Sequence, residues 1–95
     1  MPPELNARSA QLRVKAIRLQ LDAAFTFCST AGTAFILGRV QNAREAIANA
    51  RHTAEAVHIH LAEPNHVPAD SVASIADRLA QLENEISGLE GRFLR

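Results

Sequence analysis

The chain has 95 residues, which is enough for one small domain. Apolar residues make up 47% of it, and ten basic residues balance ten acidic ones, so the composition is that of a folded globular protein. A net charge of zero leaves no bulk positive charge to attract nucleic acid or an anionic membrane. The single cysteine excludes an internal disulfide, and a small chain without disulfides is typical of a reducing, cytoplasmic setting.

The N-terminal region indicates neither export nor a membrane anchor. Four basic residues occur between Arg8 and Arg18, and no apolar core of signal-peptide length accompanies them. The longest uncharged stretch, 23–38, contains several hydroxyl residues and is shorter than the roughly 20 apolar residues that a spanning helix needs. We therefore expect a buried helix in this stretch and no membrane partner.

The first predicted helix covers about 6–37. Apolar and small residues recur in it with alternating spacings of three and four, the pattern of a helix with one continuous buried stripe. Two alternatives to one uninterrupted rod are a break at Gly32, where glycine costs about 1 kcal/mol relative to alanine, and fraying of the first turns. The stripe consists of Ala7, Ala10, Val14, Ile17, Leu21, Ala24, Cys28, Ala31 and Phe35.

The same helix carries a second apolar row, which we call the α-row. It lies about 160° around the helix from the stripe, so it faces nearly the opposite way. Each helix of a three-helix bundle buries one broad stripe, and a second apolar face has no partner within such a bundle. We predict that this row is an interface. The α-row consists of Leu12, Ala16, Leu19, Ala23 and Phe27.

The second predicted helix covers about 42–62. Asn42 is predicted to cap its N-terminus, with Glu45 three residues later as a capping-box partner. Its stripe is mostly alanine, so we expect it to lie close to the first helix in an antiparallel hairpin that turns at Gly38. The stripe consists of Val40, Ala43, Ile47, Ala50, Ala54, Val57 and Leu61.

The third predicted helix covers about 68–90, with Pro68 in its first turn, where no backbone N–H is needed. Its larger side chains are expected to fill the groove of the hairpin. The sequence thus predicts an all-α, single-domain, up-down-up three-helix bundle over 1–95, with a long first helix. The third stripe consists of Val72, Ile75, Leu79, Leu82, Ile86, Leu89 and Phe93.

The predicted lengths of the helices give a second argument for self-association. If the hairpin turns near residue 39, the end of the second helix is level with Ile17, and 6–16 extend beyond it by roughly 16 Å. This overhang is expected to leave Leu12 and Val14 uncovered. Soluble monomers rarely expose a contiguous apolar patch, so we predict a homodimer through the first helix.

The region 27–50 resembles a single tetratricopeptide-like helical hairpin. In that family a glycine turn is followed at fixed spacings by small, large and small packing residues, and the same spacing occurs here at Gly38, Ala43, Ile47 and Ala50. Ala31 falls at a position where the family also has a small residue. No second copy appears, whereas a solenoid of this kind needs about three repeats. The resemblance implies a protein-binding helical scaffold. The chain departs from that family's pattern at Ala34, a usual tyrosine position, and at Glu55, a usual proline position.

Four histidines and several carboxylates suggest a metal site as the alternative function. Glu55 and His58 have the three-residue spacing of ferritin-like di-iron proteins, and the hairpin places Asp22 level with His58. Both carboxylates fall beside the stripes rather than on them, whereas such a site is built from side chains that project into the bundle. We therefore assign no metal and no cofactor, and keep Asp22, Glu55 and His58 as candidates.

Charge divides unevenly along the chain. Residues 1–62 hold seven basic and four acidic side chains, and residues 63–95 hold three basic and six acidic ones. The acidic third helix can pair with the basic hairpin within one chain, or with that of a second chain. A phosphate-binding face is a further alternative, but tyrosine and tryptophan are absent, and we expect no nucleic acid partner. The hairpin's basic residues are Arg8, Arg13, Lys15, Arg18, Arg39, Arg44 and Arg51.

Nothing in the sequence predicts an enzyme. Cys28 lies in an apolar stripe, where a thiol stays protonated, and no phosphate-binding loop, zinc-type cysteine pair or nucleophile elbow is present. The sequence favours a non-enzymatic, cytoplasmic interaction or assembly module. Its expected partner is itself or another helical protein, contacted through the α-row.

Overall fold

The computed structural model describes the backbone of residues 3–94 and the side chains of residues 8–94. It contains three helices, α1 (Pro3–Ile36), α2 (Val40–Ala62) and α3 (Ala69–Phe93), and no strand occurs within 3–94. α1 and α2 form an antiparallel hairpin, and α3 runs back along its groove and contacts both. This is the predicted three-helix bundle with a long first helix, and it forms a rod of 54 × 17 × 15 Å.

The predicted stripes form the hydrophobic core. Small side chains of α1 and α2, such as Ala24, Ala31 and Ala50, are fully buried, which lets these two helices approach closely. α3 contributes the larger buried side chains Ile75, Leu79, Leu82 and Ile86. No polar or charged side chain among residues 8–94 is buried. Ala7 lies outside the described side chains.

Two predicted stripe positions are wrong. Val40 is 44% exposed and Val72 is 37% exposed, because each lies in the first turns of its helix, where the neighbouring helices no longer cover it. The alternating spacing of three and four residues predicts the direction in which a side chain points. It does not predict whether the neighbouring helix is long enough to cover that side chain.

α1 is one continuous helix through Gly32, so the predicted alternative of a break is wrong. Gly32 is half-buried against α3, and a Cβ atom built on it would lie 3.8 Å from Cδ2 of Leu89, an ordinary contact distance. The flanking buried side chains, Cys28 and Ala31, continue the packed stripe across the glycine. Their packing offsets the conformational cost of glycine at this position.

The hairpin turn is closed by Gly38, whose φ of +76° lies in the left-handed region that favours glycine. The Gly38 amide donates to the carbonyl of Phe35 at 3.1 Å, and the Arg39 amide donates to the carbonyl of Ala34 at 2.8 Å. This pair of bonds is a Schellman motif, and it ends α1 at Ile36, one residue earlier than predicted.

α2 begins at Val40, two residues before the predicted start, and the prediction of Asn42 as N-cap is wrong. Arg39 is the N-cap residue, and no side chain caps this end of the helix. The physical reason is the turn, because the Arg39 carbonyl already accepts the amide of Ala43 at 3.1 Å and so begins the helical hydrogen bonds.

α3 is displaced toward the C-terminus from its predicted bounds of 68–90. Pro68 is its N-cap residue rather than part of the first turn, and the Pro68 carbonyl accepts the Ser71 amide at 2.9 Å. The helix passes through Gly88 and ends at Phe93, whose ring stacks on that of Phe35 at 4.5 Å. This aromatic contact lies on the far side of two glycines and holds the last turn of α3 against α1.

The overhang of α1 is shorter than predicted, because the connection between α2 and α3 folds over it. The Arg13 Nε atom donates to the carbonyl of His66 at 2.8 Å, and Val67 in the same connection is buried. Val14 packs against the core, so the prediction that it lies uncovered is wrong. Leu12 is 61% exposed, as predicted.

Candidate interaction surface on the first helix

The α-row lies on the surface of the bundle. Leu12 is 61% exposed and Leu19 is 60% exposed, and Ala16 and Ala23 between and beyond them are exposed as well. The two leucines are separated by two helical turns on one face of a rigid helix. The structure therefore brings four of the five predicted positions together on one open surface.

Phe27, the fifth position, differs from the other four. It is half-buried and packs against the hydrophobic core. Its ring marks the edge of the row rather than its centre, so the accessible part of the α-row is the segment from Leu12 to Ala23.

The position of α3 explains why the row is open. The Arg78 guanidinium of α3 lies 4.5 Å from the centre of the Phe25 ring and bonds to the Asp22 carboxylate at 2.9 Å. At 100° per residue, Phe25 points about 150° away from the mean direction of the row. α3 therefore covers the side of α1 opposite the row, and the exposure of Leu19 shows that α2 does not cover it either.

A second exposed apolar patch was missed by the sequence analysis. It lies at the hairpin tip, where Ile36 is 79% exposed and Leu37 is 62% exposed, beside the exposed Val40. The sequence signal for it is the position of these residues around Gly38, because α1 ends and α2 begins there and neither helix covers the other's terminal turn. A groove of about 360 Å³ beside this tip is lined by Thr26, Ser29, Thr30, Thr33, Ala34, Leu37, Arg39 and Asn42.

The three metal candidates do not meet in one site. The Asp22 carboxylate bonds to Arg78, and the His58 Nε2 atom lies 2.9 Å from the Glu83 carboxylate on α3. Glu55 faces His52 at 3.9 Å. Among the described side chains, no group of three or more His, Cys, Asp or Glu residues could hold a metal ion.

The other two histidines pair with each other. The Nδ1 atom of His60 lies 3.0 Å from the Nε2 atom of His66, and the two rings are stacked with centres 5.0 Å apart. Glu63 lies 3.7 Å from the other ring nitrogen of His66. The histidine pair joins the end of α2 to the α2–α3 connection. His66 contributes to both contacts, because its backbone carbonyl also accepts the hydrogen bond from Arg13. The arrangement holds the connection over α1.

Among the described side chains, one arginine of the basic hairpin pairs with the acidic third helix within one chain. Arg51 of α2 forms an ion pair with Glu90 of α3. Both partners are partly exposed, so such a pair contributes only about 0–1 kcal/mol. The pairing also engages part of the basic face that a phosphate ligand would need.

Cys28 is buried, with 2% of the residue exposed. Burial raises its pKa from 9.0 to about 11, and the negative charge of Glu85 contributes in the same direction. A thiol with this pKa stays protonated at neutral pH, and a protonated thiol is a poor nucleophile.

The hydroxyl groups of the tip groove are accompanied by no carboxylate or imidazole in its lining. The Thr26 hydroxyl donates back to the carbonyl of Asp22 at 3.1 Å, the usual bond of a threonine inside a helix.

The chain was compared with known proteins at three levels. No protein-family model matches it, and neither a curated protein nor a solved structure is significantly similar. Within the part of the chain that the structure describes, none of the helices has the length and apolar character needed to cross a bilayer.

Proposed function

We propose that this protein is a non-enzymatic helical interaction and assembly module that self-associates through the α-row. The observation that carries the proposal is the exposure of Leu12 and Leu19, each about 60%, on a helix whose opposite face already holds the core. A face of this kind has no structural role within one chain. Its natural role is in packing against another helix.

The side chains of the row suit helix packing. None of the five positions is charged, and the alanines that alternate with the leucines let a second backbone approach closely. Full burial of one leucine side chain stabilises a complex by about 1.5–3 kcal/mol. Four leucines, two from each copy, would contribute about 6–12 kcal/mol on full burial, against an association cost of about 4–15 kcal/mol, so the remaining contacts along the row must contribute to a stable dimer as well.

The proposal includes a second copy as the partner, a cytoplasmic setting and no cofactor. The unpaired Cys28 supports a reducing compartment, because secreted chains of this size usually rely on several disulfides. Another helical protein as the partner is an outcome that the following experiment separates from self-association.

The proposal is tested by light scattering coupled to size exclusion, at protein concentrations from about 5 to 500 µM, a range that brackets a micromolar dissociation constant. The wild-type protein is expected to be dimeric at the upper end. Leu19→Glu should make it monomeric with unchanged helix content by circular dichroism, because a charge buried at the interface lacks a partner. Leu79→Glu should instead unfold the chain, because Leu79 is 2% exposed in the core.

The matched control is Ile59→Glu, on the outer side of α2. Ile59 is 68% exposed and lies outside the α-row, so this change alters surface hydrophobicity to the same degree without touching the proposed interface. It should leave the dimer intact. A wild-type monomer at every concentration, or equal effects of the Leu19 and Ile59 changes, would overturn the proposal.

A further inference from the structure

We infer that the two copies pack α1 against α1 in antiparallel orientation, about a two-fold axis that passes between the two helices at the level of Ile17 and Arg18. The inference rests on the proposed self-association and specifies its geometry. The surface that each α-row recognises is then the same row of a second copy, entered from the opposite end.

Side-chain size supports this register. Along the row large and small residues alternate as Leu12, Ala16, Leu19 and Ala23. Antiparallel packing about the stated axis sets Leu12 against the partner's Ala23, and Leu19 against the partner's Ala16. Each of the four layers then contains one leucine and one alanine, so the interface has an even thickness and fills without voids.

Parallel packing of the same row is poorer. It sets leucine against leucine and alanine against alanine, so that wide layers hold the helices apart where the alanines meet. Gaps at the alanine layers forfeit dispersion contacts on both sides. The alternation of sizes therefore favours the antiparallel arrangement for a row of this composition.

Charge at the edge of the row supports the same register. Lys15 and Asp22 lie on one edge of the α-row, both are exposed, and the Asp22 side chain retains 61% exposure even while it bonds to Arg78. In antiparallel packing like edges face each other, so Lys15 faces the partner's Asp22 with an offset of about 3 Å along the helix axis, which the long lysine side chain can span, and the pair occurs twice by symmetry. In parallel packing this edge faces the other edge, where Gln20 and Phe27 are uncharged and the Arg13 guanidinium is turned toward the carbonyl of His66.

The other helices permit the arrangement. α3 covers the far side of α1, where Arg78 and Phe25 meet, so it stays outside the dimer. A two-fold axis perpendicular to the plane of two antiparallel helices keeps both copies of α2 on one side of that plane. The two hairpins then form a four-helix layer, with half-buried Phe27 on the side of α1 that faces it.

The decisive measurement is a spin-label distance between the two copies. Thr33 is exposed on α1 beyond the row, and a label on Thr33→Cys reports the relative direction of the two helices. Cys28 stays unlabelled under native conditions, because it is buried in the core and burial also raises its thiol pKa. Antiparallel packing about the stated axis puts the two labels roughly 45 Å apart along the axis.

Parallel packing instead brings the labels to about 10–20 Å, a helix-to-helix spacing plus the label arms. A distance in that range in a sample that light scattering shows to be dimeric would overturn the register while leaving self-association standing. A monomer under the same conditions would overturn both. The two failures are therefore distinguishable.

A charge exchange tests the register independently. Lys15→Glu and Asp22→Lys should each raise the dimer dissociation constant about three- to tenfold, because each sets like charges opposite one another at two symmetric places. The double variant should return to within about twofold of wild type. In the double variant the introduced lysine still repels Arg78 within each chain, so a restored dimer affinity must come from the contact between the two copies. A double variant that dimerises no better than the single variants would overturn the proposed pairing.

Discussion

Burial fixes the chemistry of Cys28 as well as its packing. The residue is buried on the α1 stripe, and burial raises the pKa of its thiol from 9.0 to about 11, with a smaller contribution from the charge of Glu85. The folded chain therefore prefers the neutral thiol more strongly than the unfolded chain does. Such a preference links the stability of the fold to pH.

The expected stability change lies on the alkaline side. The folded-state pKa is above the unfolded value, so the stabilisation from the neutral thiol is complete below pH 9 and is lost as pH rises toward 11. A difference of two pKa units corresponds to about 2–3 kcal/mol. Urea unfolding at pH 8 and pH 11 measures it, and Cys28→Ala is the control because alanine does not ionise. An equal alkaline loss in both proteins would contradict the assignment to Cys28.

At the level of elements, the spacing of apolar residues predicted which residues of each helix point inward. Ile17, Leu21 and Leu82 lie in the core as that spacing requires. The ends of the helices were less predictable, because they depend on local hydrogen bonds that side-chain patterns do not encode. Asn42 has the character of a cap, yet the bonds made after Gly38 begin α2 before the chain reaches it.

Replacement by alanine should change the free energy of unfolding in opposite directions at Gly32, inside α1, and at Gly38, in the hairpin turn. Gly32→Ala is expected to raise the free energy of unfolding by about 0.5–1 kcal/mol, because the new Cβ has room beside Leu89 and alanine loses less entropy in a helix. Gly38→Ala is expected to lower it by about 1 kcal/mol or more, because φ is +76° there.

Chemical denaturation of the two glycine variants, measured beside wild type, provides the comparison. Gly88→Ala is the matched control for Gly32→Ala, because Gly88 is also helical and a Cβ there meets nothing within 4 Å. If Gly32→Ala destabilised the protein while Gly88→Ala stabilised it, the space beside Leu89 would be smaller than the structure shows.

At the level of the whole molecule, the candidate surface was predictable in part. The pattern of α1 identifies Leu12 and Leu19 as residues with no place in the core, and their exposure agrees with that. The packing of Val14 against the core was not predictable, because it depends on how the α2–α3 connection folds back. The exposed tip at Ile36 also escaped prediction, since it arises where α1 ends and α2 begins.

Self-association should make thermal stability depend on concentration. Mass action stabilises a folded dimer relative to unfolded chains, so Tm of the wild type is expected to rise by several degrees between about 5 and 500 µM. Leu19→Glu should show no such rise. Differential scanning fluorimetry on the two proteins measures this, with Ile59→Glu expected to behave as wild type does. A concentration-independent Tm for the wild type would contradict a dimer that forms from folded subunits.

The closely packed alanines of α1 and α2 have a consequence for how this protein can vary. Ala24, Ala31 and Ala50 are fully enclosed where the two helices meet, so an added methylene at any of them must push the backbones apart. Across the groove, α3 offers leucines and isoleucines that can exchange for one another with repacking. The two parts of the core therefore tolerate different substitutions. The buried alanines between α1 and α2 cannot be replaced by larger residues, whereas the leucines and isoleucines of α3 can be exchanged for residues of nearly the same volume.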